Sequence, residues 1–482
     1  MDAIVIGSGI GGLTSAVLLA QLGRRVTVVE KNRQPGGMMR SYSRNGIDCP
    51  VGVHYISSLG PGEPLAFLYE KLGILDRIPF ERMGRSGIID RYIFDDFSFD
   101  LPPSLELFEV VLRDKFPAEQ KQISALMDKL KQAAASIGTI AGVLAPENSM
   151  GPTDMETSDE FLTRLGCSGR LKQIISVSGY LVGMRLEECP AWIHFTTLAA
   201  YLASSWRLAA GGAQMADVFA ARLAELGGRL ILGDPVREIE VEQKRATGVR
   251  LASGIRIKAD EIVSSLHPKV TLSLLPEKAF NPARAARVQA LPETSGVFCV
   301  QAAVPAATQP ALDHNLYRVK SGANQEPTPT FLQVRETARP DWNLLTAIRS
   351  SSIDDWSAWS ETAFSKRGRG YRAQKDAWAA ELMEEAADVL GPLGQATVID
   401  SYTPLTLRDW VNAPQGGAYG LKRSLEQLLT VVQLSRRGVG GLFLVGQSVM
   451  APGILGVTLG VLKTLAPLVG KERLFTEPGL KE

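Results

Sequence analysis

The sequence predicts an α/β protein, in which a discontinuous Rossmann-type domain with a parallel sheet carries an inserted mixed α+β domain. Near the start, an apolar run at residues 4–6 leads into a turn with G-x-G-x-x-G spacing, and a second apolar run follows at residues 26–29. Near the end, an apolar run at residues 442–445 again stops at a glycine, Gly446. The long stretch between these ends has helical and alternating strand patterns, which indicate the inserted domain.

The first strand, turn and helix have the spacing of a βαβ unit that binds a dinucleotide. Gly7 permits the tight turn after the strand, Gly9 lets the backbone approach a pyrophosphate, and Gly12 lets the helix pack closely on the strand. The helix over residues 13–22 would present free N–H groups and a partial positive charge to the phosphates. Glu30 ends the second strand, where a carboxylate can accept hydrogen bonds from both ribose hydroxyl groups.

The motifs at the two ends must meet in one domain, which makes that domain discontinuous. A chain of 482 residues is too long for one simple core and suggests about two or three domains. We expect residues 1–100, 211–290 and 400–482 to form the cofactor domain. The substrate domain, with a helical lid, would comprise residues 101–210 and 291–399.

Composition argues against several classes of function. Hydrophobic residues make up 45% of the chain and charged residues 21%, which is typical of an ordinary globular protein. The formal net charge of +1 gives no general attraction to nucleic acid, so we expect no nucleic-acid partner. The cysteines and histidines are scattered, without a CxxC pair or the spacing of metal ligands, so we expect no metal site.

The chain is expected to be cytoplasmic. The glycine motif begins too early to leave room for a secretory signal before it. The late apolar stretch at residues 451–470 is interrupted by prolines and a lysine, which favours a buried helix over a membrane span. Two interpretations fit the basic residues Arg82, Arg85 and Arg91: a solvated charged face, or a surface that rests peripherally on a membrane.

Three further segments favour FAD over NAD as the dinucleotide. In residues 34–41 a pair of glycines lets the main chain pass close to a bulky ligand, and Arg40 places a cation nearby. In residues 210–215 another glycine pair precedes a helix and a strand. In residues 440–460 a strand ends at a glycine and runs into a glycine-spaced helix, whose N–H groups could stabilise an anionic reduced flavin.

On these motifs the chain resembles the flavin amine oxidase and phytoene desaturase superfamily, whose members bind FAD in a two-domain fold. The likeness is greatest to the carotenoid isomerase and retinol saturase branch. Residues 48–56 read Asp-Cys-Pro-Val-Gly-Val-His-Tyr-Ile and resemble the Asp-x-Gly-x-His-Tyr element of that branch. Residues 402–406 and 413–420 resemble its penultimate segment, and residues 446–447 resemble the end of its last strand.

The resemblance implies which residues bind FAD. The glycine loop and Glu30 would hold the ADP half, and the backbone of Val236 would receive the adenine. Gly446 and Gln447 would hold the ribityl-pyrophosphate region, although many relatives carry an acid in place of Gln447. Residues 454–457 would approach the isoalloxazine. The full set of expected cofactor residues is Gly7, Ser8, Gly9, Gly11, Gly12, Glu30, Lys31, Gly37, Met38, Arg40, Val236, Gly446, Gln447, Ile454 and Val457.

The same resemblance places His54 and Tyr55 near the flavin, where a histidine could transfer a proton or donate a hydrogen bond to the substrate. A structural histidine that caps a loop is the alternative. Apolar and aromatic residues between positions 180 and 206 could line a tunnel for an apolar chain, or could be core residues of helices. The residues expected to line such a tunnel are Tyr180, Met184, Trp192, Phe195 and Tyr419.

These observations predict an FAD-dependent oxidoreductase that acts on carbon–carbon bonds of a long hydrophobic isoprenoid, such as a carotenoid or a retinoid. Desaturation, saturation and isomerisation all stay open. Because a single dinucleotide fingerprint is present, we expect an external electron partner: a quinone, oxygen or a reductase. The rival functions are a flavin amine oxidase on a small amine, and a non-catalytic protein that binds prenyl chains or lipids.

Overall fold

The computed structural model of the chain describes residues 1–138, 155–208, 211–321, 327–435 and 438–470. Residue 210 of the second glycine-pair segment, and parts of both predicted domains, lie outside these ranges. The strands, numbered along the chain, are β1 (Asp2–Ile6), β2 (Arg25–Glu30), β3 (Ser41–Arg44), β4 (Ile47–Pro50), β5 (Ile56–Ser57), β6 (Phe80–Arg82), β7 (Asp90–Ile93), β8 (Ser98–Leu101), β9 (Ser205–Leu208), β10 (Arg229–Leu232), β11 (Val236–Glu242), β12 (Arg245–Leu251), β13 (Arg256–Lys258), β14 (Glu261–Ser264), β15 (Gly296–Pro305), β16 (Asn315–Ser321), β17 (Pro327–Glu336), β18 (Trp342–Ser351), β19 (Thr397–Tyr402) and β20 (Leu442–Leu444). The α-helices are Ile10–Gln21, Pro64–Lys71, Leu105–Lys115, Gln120–Ile137, Ser158–Leu165, Gly169–Gly179, Ala191–Ala203, Gly212–Glu225, Pro268–Ser273, Pro282–Gln289, Gly368–Leu390, Pro404–Val411, Leu425–Val432 and Gly453–Val469.

Parallel strands form a five-stranded sheet in the order β10-β2-β1-β14-β20. β1 lies in the middle, where Val5 is aligned with Val28 of β2 on one side and with Val263 of β14 on the other. Such apolar, buried strands are typical of a parallel sheet that is covered on both faces. The predicted α/β class with a Rossmann-type sheet is confirmed.

A separate layer covers each face of this sheet. Helix Ile10–Gln21 packs on one face and contacts helices Gly212–Glu225 and Gly453–Val469, so segments from three parts of the chain share one apolar core. On the other face, side chains of the antiparallel strands β11 and β12 pack against Ile4 and Ile6 of β1. The carboxyl edge of the parallel sheet stays open, and ligands of open α/β sheets bind at this edge.

The inserted mixed α+β region is built on a second sheet in the order β19-β15-β18-β17-β16-β7-β8. Its neighbours pair antiparallel, except that β16 and β7 run parallel. Tyr317 and Phe331 on one face pack into the apolar core formed by helices between residues 105 and 203. Phe298 on the other face packs against helix Gly368–Leu390.

The expected domain boundary at residue 100 falls inside this second sheet. β7 and β8 pair with each other, and β7 also pairs with β16 from more than two hundred positions later in the chain. β19 crosses the expected boundary at residue 399 in the same way, because it pairs with β15. The expected boundary at residue 290 falls between a helix and a strand, residue 210 lies outside the described residues, and the division into two domains stays a prediction.

Candidate functional site

A cleft lies at the carboxyl edge of the parallel sheet, where β1, β2, β14 and β20 end. It encloses about 1130 Å³, part of which is open to solvent. A Cβ built on Gly11 would lie 3.3 Å from the Cα of Gly446, so the two ends of the chain meet in this cleft. The expected cofactor residues that line it are Gly7, Ser8, Gly9, Gly11, Glu30, Lys31, Gly37, Met38, Val236, Gly446, Gln447 and Val457.

Gly12, Arg40 and Ile454 were also expected to bind the cofactor, but they lie beside or beneath the cleft. Gly12 is buried in the first turn of the first helix. The Arg40 guanidinium turns back and donates to the carbonyl oxygens of Gly37 and Trp410, each over 3.0 Å. Ile454 is 8% exposed and packs in the apolar core. Cofactor contacts of these three residues stay predictions.

The glycine loop is crowded on its inner side and open toward the cleft. Gly7 has a φ of +89°, and its N–H donates to the carbonyl oxygen of Val29 over 2.8 Å. A Cβ at Gly12 would lie 2.0 Å from the carbonyl oxygen of Gly7, so only glycine lets the helix approach the loop. A Cβ at Gly9 would meet no atom within 4 Å. This open space over backbone N–H groups fits a pyrophosphate.

Four hydrogen bonds hold the carboxylate of Glu30 in the wall of the cleft. Its Oε2 accepts from the backbone N–H and the hydroxyl group of Ser8, over 2.9 and 2.7 Å. Its Oε1 accepts from the backbone N–H and the side-chain amide of Asn32, over 2.9 and 2.8 Å. The carboxylate is therefore fixed at the end of β2, in the position that suits a ribose. Asn32 was missed because no motif marks it.

The end of helix Pro404–Val411 closes one side of the cleft, which the sequence analysis did not foresee. Trp410 and Asn412 line the cleft there. The Nζ of Lys31 donates to Oδ1 of Asn412 over 2.6 Å and to the carbonyl oxygen of Asp409 over 2.7 Å. Burial lowers the pKa of Lys31 to about 8. Asn412 has a φ of +56°, which marks a helix end but carries no signal of a ligand.

His267, which follows β14, also lines the cleft and was missed. Its Nδ1 accepts from the backbone N–H of Lys269 over 3.3 Å, and its Nε2 lies 3.6 Å from Oε1 of Glu293. Lys269 pairs with the same carboxylate over 3.1 Å. Burial, and then the charge of Lys269, lower the pKa of His267 to about 3, so its imidazole is neutral at physiological pH. His267 could have been predicted as a cleft residue from the sequence, because it lies just beyond the carboxyl end of a strand, where ligands of open α/β sheets bind.

The segment with His54 and Tyr55 lies against a residue of the cleft. A Cβ built at Gly52 would be 2.5 Å from the Cε of Met38, which lines the cleft. The segment that leads to the expected catalytic pair therefore touches the cleft at Met38, whereas His54 and Tyr55 themselves do not line it.

The imidazole of His54 is neutral and lies near two cations. Its ring centroid is 5.4 Å from that of Phe331, and both ring nitrogens are shielded from solvent without a hydrogen-bond partner among the described residues. The amide of Gln333 donates to the backbone carbonyl of His54 instead, over 3.4 Å. Burial, and then the charges of Arg335 and Arg207, lower the pKa of His54 to about 3.

Tyr55 lies beside a buried polar cluster that was not predicted. Its hydroxyl oxygen is 3.2 Å from that of Tyr317, and its ring centroid is 5.2 Å from that of Tyr201. Behind these rings, Asp90 accepts hydrogen bonds from the Tyr201 hydroxyl and from the Asn315 amide, both over 2.9 Å. Asp90 is 1% exposed, and this burial raises its pKa to about 7.

Four of the residues expected to line a tunnel lie on or near the turn at residues 180–184. Met184 and Trp192 share a small apolar cluster. A Cβ at Gly183 would lie 2.5 Å from the ring of Tyr419, so Tyr419 packs on the same turn. The hydroxyl group of Tyr180 donates to the carbonyl oxygen of Pro327 over 2.5 Å. Whether they line a substrate tunnel stays a prediction.

Phe195, the fifth expected tunnel residue, lies in the core of the helices. It is fully buried, and its ring centroid is 5.1 Å from that of Phe161. The neighbouring His194 has hydrogen-bond partners at both nitrogens, Ser178 at 2.7 Å and Ser158 at 2.9 Å. This histidine is a satisfied core residue. Within the described ranges, no group of three or more His, Cys, Asp or Glu side chains could hold a metal ion.

Arg82 and Arg91, two of the three basic residues considered for a membrane contact, have partners of their own. The guanidinium of Arg82 lies 5.3 Å from the ring centroid of Trp206, and Arg91 forms an ion pair with Asp100 over 2.7 Å. A search of the described helices finds none that is long and apolar enough to cross a bilayer. A peripheral membrane contact stays a prediction.

Several known proteins are similar to this chain. The sequence profile described as "Flavin containing amine oxidoreductase" matches residues 10–456. All-trans-retinol 13,14-reductase of Danio rerio is 22% identical, over 96% of this chain and 85% of its own length. 4,4'-Diapolycopene oxygenase of Methylomonas sp is 26% identical, over 55% of this chain and 55% of its own length. Putrescine oxidase bound to putrescine is 19% identical and has a similar fold, with a TM-score of 0.68 over 97% of this chain and 98% of that one.

Proposed function

We propose that this chain, which belongs to the flavin-containing amine oxidoreductase family, acts on carbon–carbon bonds of a long hydrophobic isoprenoid of the carotenoid or retinoid type. The chain is an FAD-dependent oxidoreductase. The proposed reaction is a desaturation, a saturation or an isomerisation. In the first two, electrons are exchanged with a quinone, oxygen or an external reductase, whereas an isomerisation has no net transfer of electrons.

The positive charge around His54 is the observation that carries this proposal. Burial is the main cause of the low pKa of His54, and the charges of Arg335 and Arg207 lower it further, so two cations lie near the imidazole. A small amine substrate arrives protonated at neutral pH, and the same charges repel it. A hydrocarbon chain meets no such repulsion, and it gains free energy by burying apolar surface against the rings of Tyr55 and Phe331.

The names of two relatives support the same substrate class. The Danio rerio relative is a retinol reductase, and the Methylomonas relative is a diapolycopene oxygenase. Retinol and diapolycopene are both conjugated isoprenoid chains. The likeness to putrescine oxidase concerns the fold alone, because the identity is only 19%.

The residues of the cleft fit FAD. In our proposal the N–H groups of the glycine loop bind the pyrophosphate, Glu30 binds the ribose, and the backbone of Val236 borders the adenine. Gly446 and Gln447 hold the ribityl-pyrophosphate region on the opposite wall. When bound, FAD supplies a site that accepts or returns a hydride.

His54 and Tyr55 are the proposed catalytic side chains. Burial raises the pKa of Tyr55 well above its ordinary value, so its hydroxyl group stays protonated and can donate a proton to a carbon next to the hydride site in the saturation direction. Tyr317 is its hydrogen-bond partner. His54 is neutral, so one of its ring nitrogens can donate a hydrogen bond and the other can accept one. We propose that Tyr180, Met184, Trp192 and Tyr419 belong to the apolar wall that excludes water and holds the chain, whereas Phe195 is a core residue of the helices behind it.

The visible spectrum of the purified protein, followed by anaerobic titrations, tests the proposal. Protein reduced with dithionite receives all-trans-retinol or a carotenoid, oxidised protein receives a more saturated isoprenoid, and a parallel oxidised sample receives putrescine. We expect isoprenoids to change the flavin bands or the polyene absorption, and putrescine to leave both unchanged. Bleaching by putrescine without any response to isoprenoids would establish the rival amine oxidase. A protein that binds isoprenoids but never takes up FAD would support the rival lipid-binding function.

A further inference from the structure

Arg423 is a buried cation that binds the backbone behind the cleft. It is 3% exposed. Its Nε donates to the carbonyl oxygen of Met450 over 2.9 Å, its Nη1 to that of Leu421 over 3.1 Å, and its Nη2 to that of Gln447. Three backbone carbonyl groups therefore satisfy the guanidinium, and two of them belong to the loop between β20 and helix Gly453–Val469.

No acidic side chain among the described residues forms an ion pair with Arg423. Its neighbour Lys422 does have such a partner, because its Nζ lies 2.5 Å from Oε1 of Glu188. Burial lowers the pKa of Arg423 to about 10, which still leaves the guanidinium charged at neutral pH. A positive charge without a counter-ion is therefore held inside the protein, where water screens it little.

The loop that Arg423 binds is a wall of the cofactor cleft. Gly446, Gln447 and Ser448 line the cleft, and so does Val457 in the helix that follows. That helix begins at Gly453 and adds its own partial positive charge to the same wall. Both charges favour an electron-rich ligand, and the side chain of Gln447 is neutral, so it does not offset them.

We infer that Arg423 raises the reduction potential of the bound FAD by placing its uncompensated charge behind the Gly446–Met450 loop. Charge near the flavin ring is one of the means by which a protein tunes this cofactor. Arg423 does not line the cleft, so it is a positioning and electrostatic residue rather than a catalytic one. The inference requires bound FAD and is independent of the proposed isoprenoid substrate.

Spectroelectrochemistry of the FAD-loaded protein tests the inference, with Arg423→Met and Arg423→Lys as the main variants. We expect Arg423→Met to lower the flavin midpoint potential, whereas Arg423→Lys keeps the charge and stays closer to the wild-type value. Arg245→Met is the control, since Arg245 is exposed and donates to the backbone of Asp260. The flavin midpoint potential of Arg245→Met should match that of the wild type.

Gln447→Glu is a second test that does not depend on the folding of the Arg423 variants. It leaves the carbonyl group that Arg423 binds in place and adds a carboxylate to the cleft wall, so we expect it also to lower the potential. A wild-type potential in Gln447→Glu and in FAD-loaded Arg423→Met would overturn the inference. Equal lowering in Arg423→Met and Arg423→Lys would also overturn it, because geometry rather than charge would then be responsible. No substrate is used, so the proposed function can fail without affecting this result.

Discussion

Oε2 of Glu30 lies 2.9 Å from the backbone nitrogen of Ser8 and 2.7 Å from its hydroxyl oxygen, so the end of β2 is tied directly to the glycine loop. The carboxylate thus fixes the shape of the loop that we propose to bind the pyrophosphate, in addition to its expected contact with the ribose. Removal of the charge should affect FAD binding through both routes.

We expect Glu30→Gln to weaken FAD binding by about tenfold or more. The glutamine amide can replace only one carboxylate oxygen as an acceptor, which leaves buried N–H groups of Ser8 or Asn32 unpaired at about 1–3 kcal/mol. Flavin fluorescence titration of the apoprotein measures the change. Glu242→Gln, at an exposed position on the end of β11, is the control and should bind FAD normally. Wild-type affinity in Glu30→Gln would contradict the ribose role.

Gly9→Ala and Gly12→Ala form a matched pair. The first tests whether the space beside Gly9 is needed for FAD, and the second tests whether the close packing at Gly12 is needed for folding. Gly9 has a φ of −64°, and its Cβ would meet no protein atom within 4 Å. We therefore expect Gly9→Ala to fold normally, with a change in the free energy of unfolding below about 0.5 kcal/mol, while its methyl group obstructs FAD. A Cβ at Gly12 would lie 2.0 Å from a backbone oxygen, so Gly12→Ala should destabilise the apoprotein by about 1–3 kcal/mol or more.

Urea unfolding of the apoproteins and FAD titration measure the two effects separately. If Gly9→Ala bound FAD as tightly as the wild type, the cofactor would not pass over this residue. If Gly12→Ala were as stable as the wild type, the close approach of helix and loop would not be required.

The N-terminal βαβ unit could be predicted because its signals are local. The expected strands at residues 4–6 and 26–29 and the helix at 13–22 correspond to Asp2–Ile6, Arg25–Glu30 and Ile10–Gln21. Apolar periodicity and glycine spacing act over a few residues, so a single segment of sequence is enough to show them.

The other walls of the site depend on contacts between distant segments. Lys31 meets Asn412 across 381 positions, and Asp90 meets Asn315 across 225. Neither Asn412 nor Asn315 stands in a recognised motif. The pairing of β7 with β16 brings Asp90 to Asn315, but the hydrophobic pattern of either strand alone does not indicate this pairing. Topology, rather than local pattern, determines such clusters, so they became visible only in the structure.

Tyr55→Phe should lower turnover by about 100-fold or more if Tyr55 holds the reacting proton, because general acid–base catalysis contributes roughly 100- to 10,000-fold. Flavin content should stay unchanged, since Tyr55 does not line the cofactor cleft. Single-turnover oxidation or reduction of the flavin, with an isoprenoid that gives a response in the titrations proposed above, measures the rate.

Tyr317→Phe is the matched control, because it removes the same 3.2 Å hydroxyl contact from the other side and leaves the Tyr55 hydroxyl in place. We expect a much smaller loss of rate in this variant. Equal losses in the two variants would show that the hydrogen-bonded pair, and not the proton on Tyr55, is what turnover needs.

Asp90 should make the stability of the protein fall as the pH rises from about 4 to about 7. Burial raises its pKa from 3.8 in the unfolded chain to about 7 in the folded protein, so the folded state binds the extra proton over this interval. Where the native state binds more protons than the unfolded state, the free energy of unfolding decreases with increasing pH. The contribution of Asp90 is therefore fully present below about pH 4 and is lost as the pH passes 7.

Asp90→Asn should remove this part of the pH dependence, because the amide oxygen can still accept from Tyr201 and Asn315 but does not ionise. Urea unfolding at pH 5 and pH 8 should show the variant gaining stability relative to the wild type at the higher pH. Asp128→Asn, on an exposed face of helix Gln120–Ile137, is the control and should follow the wild type at both values. If the difference in the free energy of unfolding between Asp90→Asn and the wild type were the same at pH 5 and pH 8, Asp90 would be ionised in the folded protein at both pH values. The charge of Arg207 would then stabilise the ionised carboxylate.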